Sequence, residues 1–199
     1  MVQRVAERNP HSPAAIRGKP NVSFEAMRLV LCSQPEHGGA ILEILNDAIA
    51  TSTALYDYHP RSPESMTAWF EAKRAGQFPV WGALDGAGAL LGFATYGTFR
   101  GWPAYKYSVE HSVYVARAAR GQGVGKLLMQ QLIESAIEQQ KHLLIGGIDA
   151  HNTSSIAFHR QLGFVHAGTI EQAGYKFGRW LDLAFYQLTL PTPSAPIDG

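Results

Sequence analysis

One stretch organises the chain: Arg120-Gly121-Gln122-Gly123-Val124-Gly125-Lys126. Its three glycines stand at alternate positions between a β-like run, residues 108–115, and a run of helical period that starts near residue 127. A glycine-rich turn that opens a helix presents unpaired backbone N–H groups and the positive end of the helix dipole. The stretch therefore predicts a site for a phosphate or pyrophosphate group.

Two common phosphate-binding motifs do not fit these residues. A Walker A loop needs glycine at position 120 and serine or threonine at position 127, where the chain has Arg120 and Leu127. A dinucleotide fingerprint, Gly-x-Gly-x-x-Gly, fits Gly121 and Gly123 but meets Lys126 in place of its third glycine. What remains is Arg-x-x-Gly-x-Gly between a strand and a helix, with a plain glycine-rich turn open as the alternative.

Length and composition indicate a soluble, globular protein of one domain. The chain has 199 residues, of which 46% are hydrophobic and 17% charged, and its formal net charge is +1. There is no excess of basic residues to hold nucleic acid, and no apolar run is long enough to cross a membrane. The one cysteine, Cys32, has no partner for a disulfide within this chain, so a cytoplasmic setting is expected. The histidines show no metal-ligand spacing, and no metal site is predicted.

Apolar periodicity and turn residues predict an α/β fold with one sheet, in the order β-α-α-β-β-β-α-β-α-β-β. The helix after the glycine turn has a clear apolar stripe, formed by Val124, Leu128, Leu132 and Ala136. Residues 1–25 lack an apolar period and are predicted to be a mobile extension. The domain is expected to span residues 26–190, and residues 191–199 are expected to form a flexible tail.

The glycine turn and a second motif resemble the GNAT superfamily of N-acetyltransferases. The Arg-x-x-Gly-x-Gly pattern is similar to the superfamily's pyrophosphate-binding motif, and residues 152–164, which begin with Asn152 and end in Gly-Phe, resemble its Asn…Gly-Phe segment. Three further stretches resemble the branch that acts on phosphinothricin and methionine sulfoximine: VEHSVYV at 109–115, GYKFGRWLD at 174–182 and ATST at 50–53. The resemblance covers about residues 27–190.

Membership of this branch implies a fold and an activity. The fold would be a single mixed, mostly antiparallel twisted sheet of about seven strands flanked by about four helices. The activity would be direct transfer, in a ternary complex, of an acetyl group from acetyl-CoA to the amino group of phosphinothricin, methionine sulfoximine or methionine sulfone. The resemblance also implies a homodimer. Two other functions stay open: acetylation of a peptide or protein, and binding of CoA without chemistry.

Glu110 is the candidate general base. An α-amino group has a pKa of about 8 and is mostly protonated at pH 7, so a base beside it helps the amine to attack. On an ideal strand Glu110, Ser112 and Tyr114 share one face, and a glutamate on this largely apolar strand needs a partner or a task. The resemblance places the family's base at Glu110. The alternative is a structural glutamate paired with arginine or lysine.

The resemblance also implies which residues hold acetyl-CoA. Backbone N–H groups of the central strand, at Val113 and Val115, would bond the thioester and the pantetheine arm. Asn152 would hold the same arm or cap a helix. The full predicted set for the cofactor is Val113, Tyr114, Val115, Arg120, Gly121, Gln122, Gly123, Val124, Gly125, Lys126 and Asn152.

Three more residues complete the predicted site. His159 stands where the superfamily usually has the tyrosine that protonates the departing thiolate, and an imidazolium can donate that proton. Arg100 matches an arginine that borders the acceptor pocket in this branch, and it would bind an amino acid carboxylate. Tyr105, in the same loop, would form an aromatic wall of that pocket. Substrate recognition is therefore expected from Arg100, Tyr105 and Glu110.

Overall fold

The computed structural model describes residues 27–198, which form seven strands and four α-helices in the predicted order. The predicted extension, residues 1–25, lies outside the described residues. Residues 191–198 contain no helix or strand, and their flexibility stays a prediction. The elements are β1 Arg28–Leu31, α1 Gln34–Thr51, α2 Pro63–Ala75, β2 Val80–Leu84, β3 Leu90–Thr98, β4 Ser108–Val115, α3 Val124–Glu138, β5 Leu143–Asp149, α4 Thr153–Gln161, β6 Val165–Lys176 and β7 Arg179–Thr189.

The seven strands form one mixed sheet in the order β1-β2-β3-β4-β5-β7-β6. Every neighbouring pair is antiparallel except β4 and β5, which are parallel because α3 crosses over between them. This parallel pairing is short and runs from Ser108↔Leu143 to Glu110↔Ile145. β4 pairs with β3 as far as Val115, but no described strand pairs with its other side beyond Glu110. The second half of β4 therefore faces a split in the sheet.

Helices cover both faces of the sheet. The predicted stripe of α3 is fully buried at Val124, Leu128, Leu132 and Ala136, in a cluster that also includes residues of β3, β4 and β5. Burial of each leucine side chain stabilises the fold by roughly 1.5–3 kcal/mol. Met129 is equally buried, although the predicted stripe omits it. On the other face, α1 and α2 pack on the sheet through a second cluster, which comprises Ile41, Ile44, Leu45, Met66, Val80 and Phe93.

The last hairpin is longer than the sequence predicts. The sequence pattern predicts two strands, near residues 164–171 and 181–190, whereas β6 continues to Lys176 and β7 begins at Arg179. The alternation of side chains in β6 is interrupted by a register shift around Gln172, whose φ of 51° lies in the left-handed region. Because this irregularity breaks the period of two, the outer half of the hairpin does not show the strand pattern.

Candidate active site

A cavity of about 310 Å³ opens where β4 and β5 separate. Residues 110–114 of β4, residues 146–149 of β5 and residues 54–56 after α1 line it, together with Leu183 of β7 and, at α4, Asn152, Ser155 and His159. The split in the sheet and the segment that follows α1 therefore border the same cavity. It is the place where the fold brings the predicted functional residues of β4 and α4 together.

Backbone N–H groups of β4 point into this split. The 2.8 Å hydrogen bond from Ala116 N–H to the carbonyl of Leu91 fixes the alternation of the β3–β4 ladder. By that alternation the backbone N–H group of Tyr114 bonds to β3. The N–H groups of Val113 and Val115 point the other way, towards the side from which β5 has separated. These two amides are the donors predicted for the thioester and pantetheine arm. Tyr114 also lines the cavity, and burial raises the pKa of its hydroxyl to about 12.

The glycine turn leads directly into α3. Gly121 and Gly123 have φ values of +79° and +83°, in the left-handed region that favours glycine. Gly123 is the N-cap residue of α3, so the first amides of that helix are left without helical partners at the turn. A Cβ on Gly121 would meet no atom within 4 Å, so backbone conformation rather than crowding favours glycine there. This geometry fits the predicted anion site.

The two cations that flank the turn differ in their contacts. Arg120 donates from Nε to the carbonyl of Val115, 3.1 Å away, and its guanidinium lies 3.5 Å from the Asp47 carboxylate in α1. Arg120 therefore ties the turn to β4 and to α1. Lys126 is exposed in the first turn of α3, at the same helix end as the predicted pyrophosphate.

Glu110 lines the cavity as a half-buried carboxylate. Burial raises the pKa of its carboxyl group, and the charge of Arg100 opposes part of that shift. The net shift is upward, towards the range in which a carboxylate can accept a proton near neutral pH. None of the ion pairs between described residues involves Glu110, and its role as the base stays a prediction. Gly147 leaves room for this side chain, because a Cβ there would lie 3.2 Å from Glu110 Oε1.

His111 and His159 form a buried pair. Their rings stack with centroids 5.0 Å apart, and the two residues are 6% and 3% exposed. His159 Nδ1 lies 2.7 Å from the carbonyl of Ser155, so it carries the proton and donates it, which leaves Nε2 as an acceptor in the neutral ring. Burial lowers the pKa of both histidines, that of His111 to about 3. The neutral form is favoured, which weakens the predicted role of His159 as an acid.

Two consecutive glycines of β5 show that Glu110 and His159 lie on opposite faces of the sheet. A Cβ on Gly146 would lie 2.8 Å from His111 Nε2 and 3.5 Å from His159 Nε2. A Cβ on Gly147 would approach Glu110 instead, and successive strand positions point to opposite faces. Neither glycine is among the site residues predicted from the sequence. The available signal was their place inside a buried strand, where glycine often marks a close approach.

Asn152 is the N-cap residue of α4. Its Oδ1 accepts hydrogen bonds from the backbone N–H of Ser155, at 3.1 Å, and from the hydroxyl of Ser154, at 2.9 Å. The helix-cap alternative is therefore what the geometry shows. Asn152 also lines the cavity, and its contact with acetyl-CoA remains a prediction.

Arg100 and Tyr105 line a second cavity, of about 190 Å³, rather than the cavity that contains Glu110. Arg100 is exposed and lies 5.2 Å from the ring centroid of Phe99. Its charge still lowers the pKa of Glu110 in part, so the two side chains are in electrostatic reach. The structure therefore brings Glu110 together with the predicted cofactor residues of β4 and α4, and leaves the two predicted acceptor residues to one side.

Because His111 is buried in its neutral form, we expect the stability of the fold to depend on pH. In the unfolded chain His111 takes up a proton near pH 6.5, whereas in the fold it stays neutral down to about pH 3. Between these values the unfolded state binds more protons, so the free energy of unfolding falls as the pH is lowered. We expect wild type to lose about 2 kcal/mol more than His111→Leu between pH 7 and pH 5, measured by urea unfolding. Equal losses in the two proteins would refute this account of His111.

Within residues 27–198, no helix is long and apolar enough to cross a membrane. In the same part of the chain, no group of three or more His, Cys, Asp or Glu side chains is placed to hold a metal ion.

Three features of the fold and the site are together typical of enzymes that transfer acyl groups. They are a sheet that splits between two parallel strands, a glycine turn at the start of the crossover helix, and a half-buried glutamate at the split. The sequence profile of the Acetyltransferase (GNAT) family matches residues 42–164. This chain belongs to the GNAT acetyltransferase family.

Individual relatives confirm the fold and the resemblance to the predicted branch. The L-methionine sulfoximine/L-methionine sulfone acetyltransferase of Pseudomonas paraeruginosa is 46% identical over 157 residues, covering 78% of this chain and 91% of that protein. A solved structure from Acinetobacter baylyi is 59% identical with a TM-score of 0.86, covering 87% of this chain and 97% of that one. A phosphinothricin acetyltransferase from Sinorhizobium meliloti, solved with acetyl-CoA, is 32% identical with a TM-score of 0.80. The match covers 86% of this chain and 92% of that one.

Proposed function

We propose that this chain transfers the acetyl group of acetyl-CoA directly to the α-amino group of a small amino acid or analogue, in a ternary complex. The acceptor class is that of methionine sulfoximine, methionine sulfone and phosphinothricin, after which the similar enzymes are named. One observation carries the proposal: Glu110 and His159 line the same split from opposite faces. This arrangement suits direct transfer, because the amine arrives and the thiol departs at different positions around the carbonyl carbon.

The residues around the split suit acetyl-CoA, which supplies the thioester that the amine attacks. The N–H groups of Val113 and Val115 are placed to bond the pantetheine arm and the thioester oxygen, where preorganised donors stabilise developing negative charge. The amides at the start of α3, with Gly121 and Gly123 in left-handed conformations, suit the pyrophosphate. Lys126 adds a positive charge at that end.

Glu110 accepts the proton that the acceptor amine must lose. Its upward-shifted pKa brings the carboxylate closer in basicity to the amine, which is the condition for efficient proton transfer near neutral pH. His159 donates a proton from Nε2 to the thiolate when its ring is charged. Since a thiol has an ordinary pKa of about 8.5 and imidazole about 6.5, that transfer is favourable. Burial disfavours the charged ring, so we expect His159 to contribute less than Glu110.

Arg100 is proposed to hold the α-carboxylate of the acceptor. Its guanidinium is exposed, in electrostatic reach of Glu110, and offers the planar fork that matches a carboxylate. Tyr105 lines the same cavity as Arg100 and is proposed as an aromatic wall for the acceptor side chain. An acceptor that bridges Glu110 and Arg100 would present its amino group to the base and its carboxylate to the arginine.

An acceptor panel tests the proposed function. Purified protein is given acetyl-CoA and one amine at a time, thiol release is measured, and the product is identified by mass spectrometry. We expect acetylation of the α-amino group of methionine sulfone, and at least about tenfold lower kcat/KM for the amine that lacks its carboxylate. No turnover on any small amine would overturn the proposal. Faster turnover of a peptide than of every free amino acid would favour the protein-acetylating alternative.

We also propose a homodimer in a reducing, cytoplasmic compartment. The aromatic side chains of Tyr175, Phe177 and Trp180 are exposed at the tip of the last hairpin, and such a patch suits an interface between subunits. The thiol of Cys32 has a pKa that burial raises to about 12, as expected of an inert reduced cysteine. A monomeric mass in light scattering would contradict the dimer, and recovery outside the cytoplasmic fraction would contradict the compartment.

A further inference from the structure

Lys176, in β6, is a buried lysine with a complete set of backbone acceptors. It is 4% exposed, and no carboxylate of the described residues forms an ion pair with it. Its Nζ donates to the carbonyl oxygens of Ile49, Ser52 and Leu55, at 2.8, 3.0 and 2.6 Å. An ammonium has three donors, so every one of them is used. Burial lowers the pKa of Lys176, and the charge of Asp57 raises it in part.

The three carbonyls belong to the end of α1 and to the segment that follows it. α1 ends at Thr51 and has no basic residue in its last turn. The last carbonyls of a helix lack helical partners and carry the negative end of its dipole, so a cation placed there is stabilising. Lys176 supplies that cation from the other end of the chain.

A second contact ties the same segment to the same hairpin. Oδ2 of Asp149, at the end of β5, accepts hydrogen bonds from the hydroxyl of Thr53 and from the guanidinium of Arg179, both at 2.7 Å. Burial would raise the pKa of Asp149, but these bonds and one from the N–H of His151 hold it below its ordinary value. The hairpin therefore holds the segment through two cations. Lys176 contacts the segment directly, and Arg179 contacts it through Asp149.

The segment held in this way lines the active site. Residues 54–56 form part of the wall of the cavity that contains Glu110. Gly174 of the hairpin leaves room for the ring of Tyr56, because a Cβ on Gly174 would lie 2.7 Å from its Cε2. We propose that Lys176 is a positioning residue, which fixes residues 52–56 as a wall of the acceptor site. This role rests on the proposed function, since the wall acts on KM only if a small acceptor binds beside it.

Lys176→Met tests the proposal, because it keeps the length of the side chain and removes its three donors. We expect KM for methionine sulfone to rise about tenfold, kcat to change less than about threefold, and the Kd of acetyl-CoA to stay unchanged. The amides of residues 52–56 should exchange with deuterium faster than in wild type. Arg74→Met, at the exposed end of α2, removes one positive charge as a matched control and should change none of these values.

Several outcomes would overturn the positioning role. An unchanged KM for methionine sulfone in folded Lys176→Met would do so, and so would an equal rise in KM for both substrates, which indicates general loss of structure. If Lys176→Met fails to fold, Thr53→Val removes the second contact alone and should give the same selective rise in KM. If wild type acetylates no amino acid, the proposed function fails by itself. Unchanged exchange of residues 52–56 in Lys176→Met would then refute the positioning role separately.

Discussion

Glu110→Gln is expected to lower kcat for methionine sulfone by about 10²–10⁴-fold at pH 7, which is the range for removal of a general base. The glutamine keeps the size of the side chain but cannot accept the proton of the amine. The Kd of acetyl-CoA should stay within about twofold of wild type, because the predicted cofactor donors are backbone amides of β4 and α3. Steady-state kinetics and calorimetric titration with acetyl-CoA measure the two quantities.

The pH dependence separates loss of the base from other damage. In wild type the acid limb of kcat/KM should follow the Glu110 carboxyl group, whose pKa is raised by burial, so activity is lost as the pH falls through that value. In Glu110→Gln this limb disappears, and the rate should instead rise with pH as the free amine forms, near pH 8 and above. Glu134→Gln, on the exposed side of α3, is a matched control and should behave as wild type. More than half of the wild-type rate in Glu110→Gln would contradict the assignment.

Gly123→Val is expected to weaken acetyl-CoA binding at least about tenfold. Gly123 stands at the N-cap of α3 with a φ of +83°, and a β-branched side chain in that region costs about 1–3 kcal/mol. The turn relieves this strain by changing its backbone conformation, which turns its amides away from the pyrophosphate. Calorimetric titration with acetyl-CoA measures the loss.

Gly88→Val provides the matched control for this change. Gly88 lies in the turn between β2 and β3 with a φ of +85°, and a Cβ there would meet no atom within 4 Å. The two variants should therefore lose similar free energies of unfolding, whereas only Gly123→Val should lose affinity for acetyl-CoA. Equal affinities in the two variants would show that the glycine turn does not hold the cofactor.

The sequence predicts those features that local signals determine. Alternate glycines between a strand pattern and a helix pattern suffice to place the start of α3, and helical spacing suffices to find the stripe from Val124 to Ala136. Alternation along one strand likewise assigns Glu110 and Tyr114 to the same face. Each of these inferences concerns residues that lie a few positions apart, where the backbone geometry is known in advance.

Contacts between distant parts of the chain could not be predicted from the sequence. The donors of Lys176 reach carbonyls at the end of α1 and in the segment after it, which lie far away in sequence, and nothing in the residues around Lys176 indicates them. The stacking of His111 on His159 depends on how α4 packs against β4, which periodicity does not fix. Arg100 shares a loop with Tyr105, but the path of that loop places both in a second cavity. Where a side chain faces a loop or another element, only the folded structure decides its neighbours.

A crystal structure with CoA and methionine sulfone bound together tests the central claim most directly. We expect the pantetheine arm to lie in the split beside the N–H groups of Val113 and Val115, and the acceptor amine to lie within hydrogen-bond distance of the Glu110 carboxylate. The thiol of CoA would lie towards the His159 side. An acceptor amine on the histidine face, or a pantetheine arm outside the split between β4 and β5, would contradict the account.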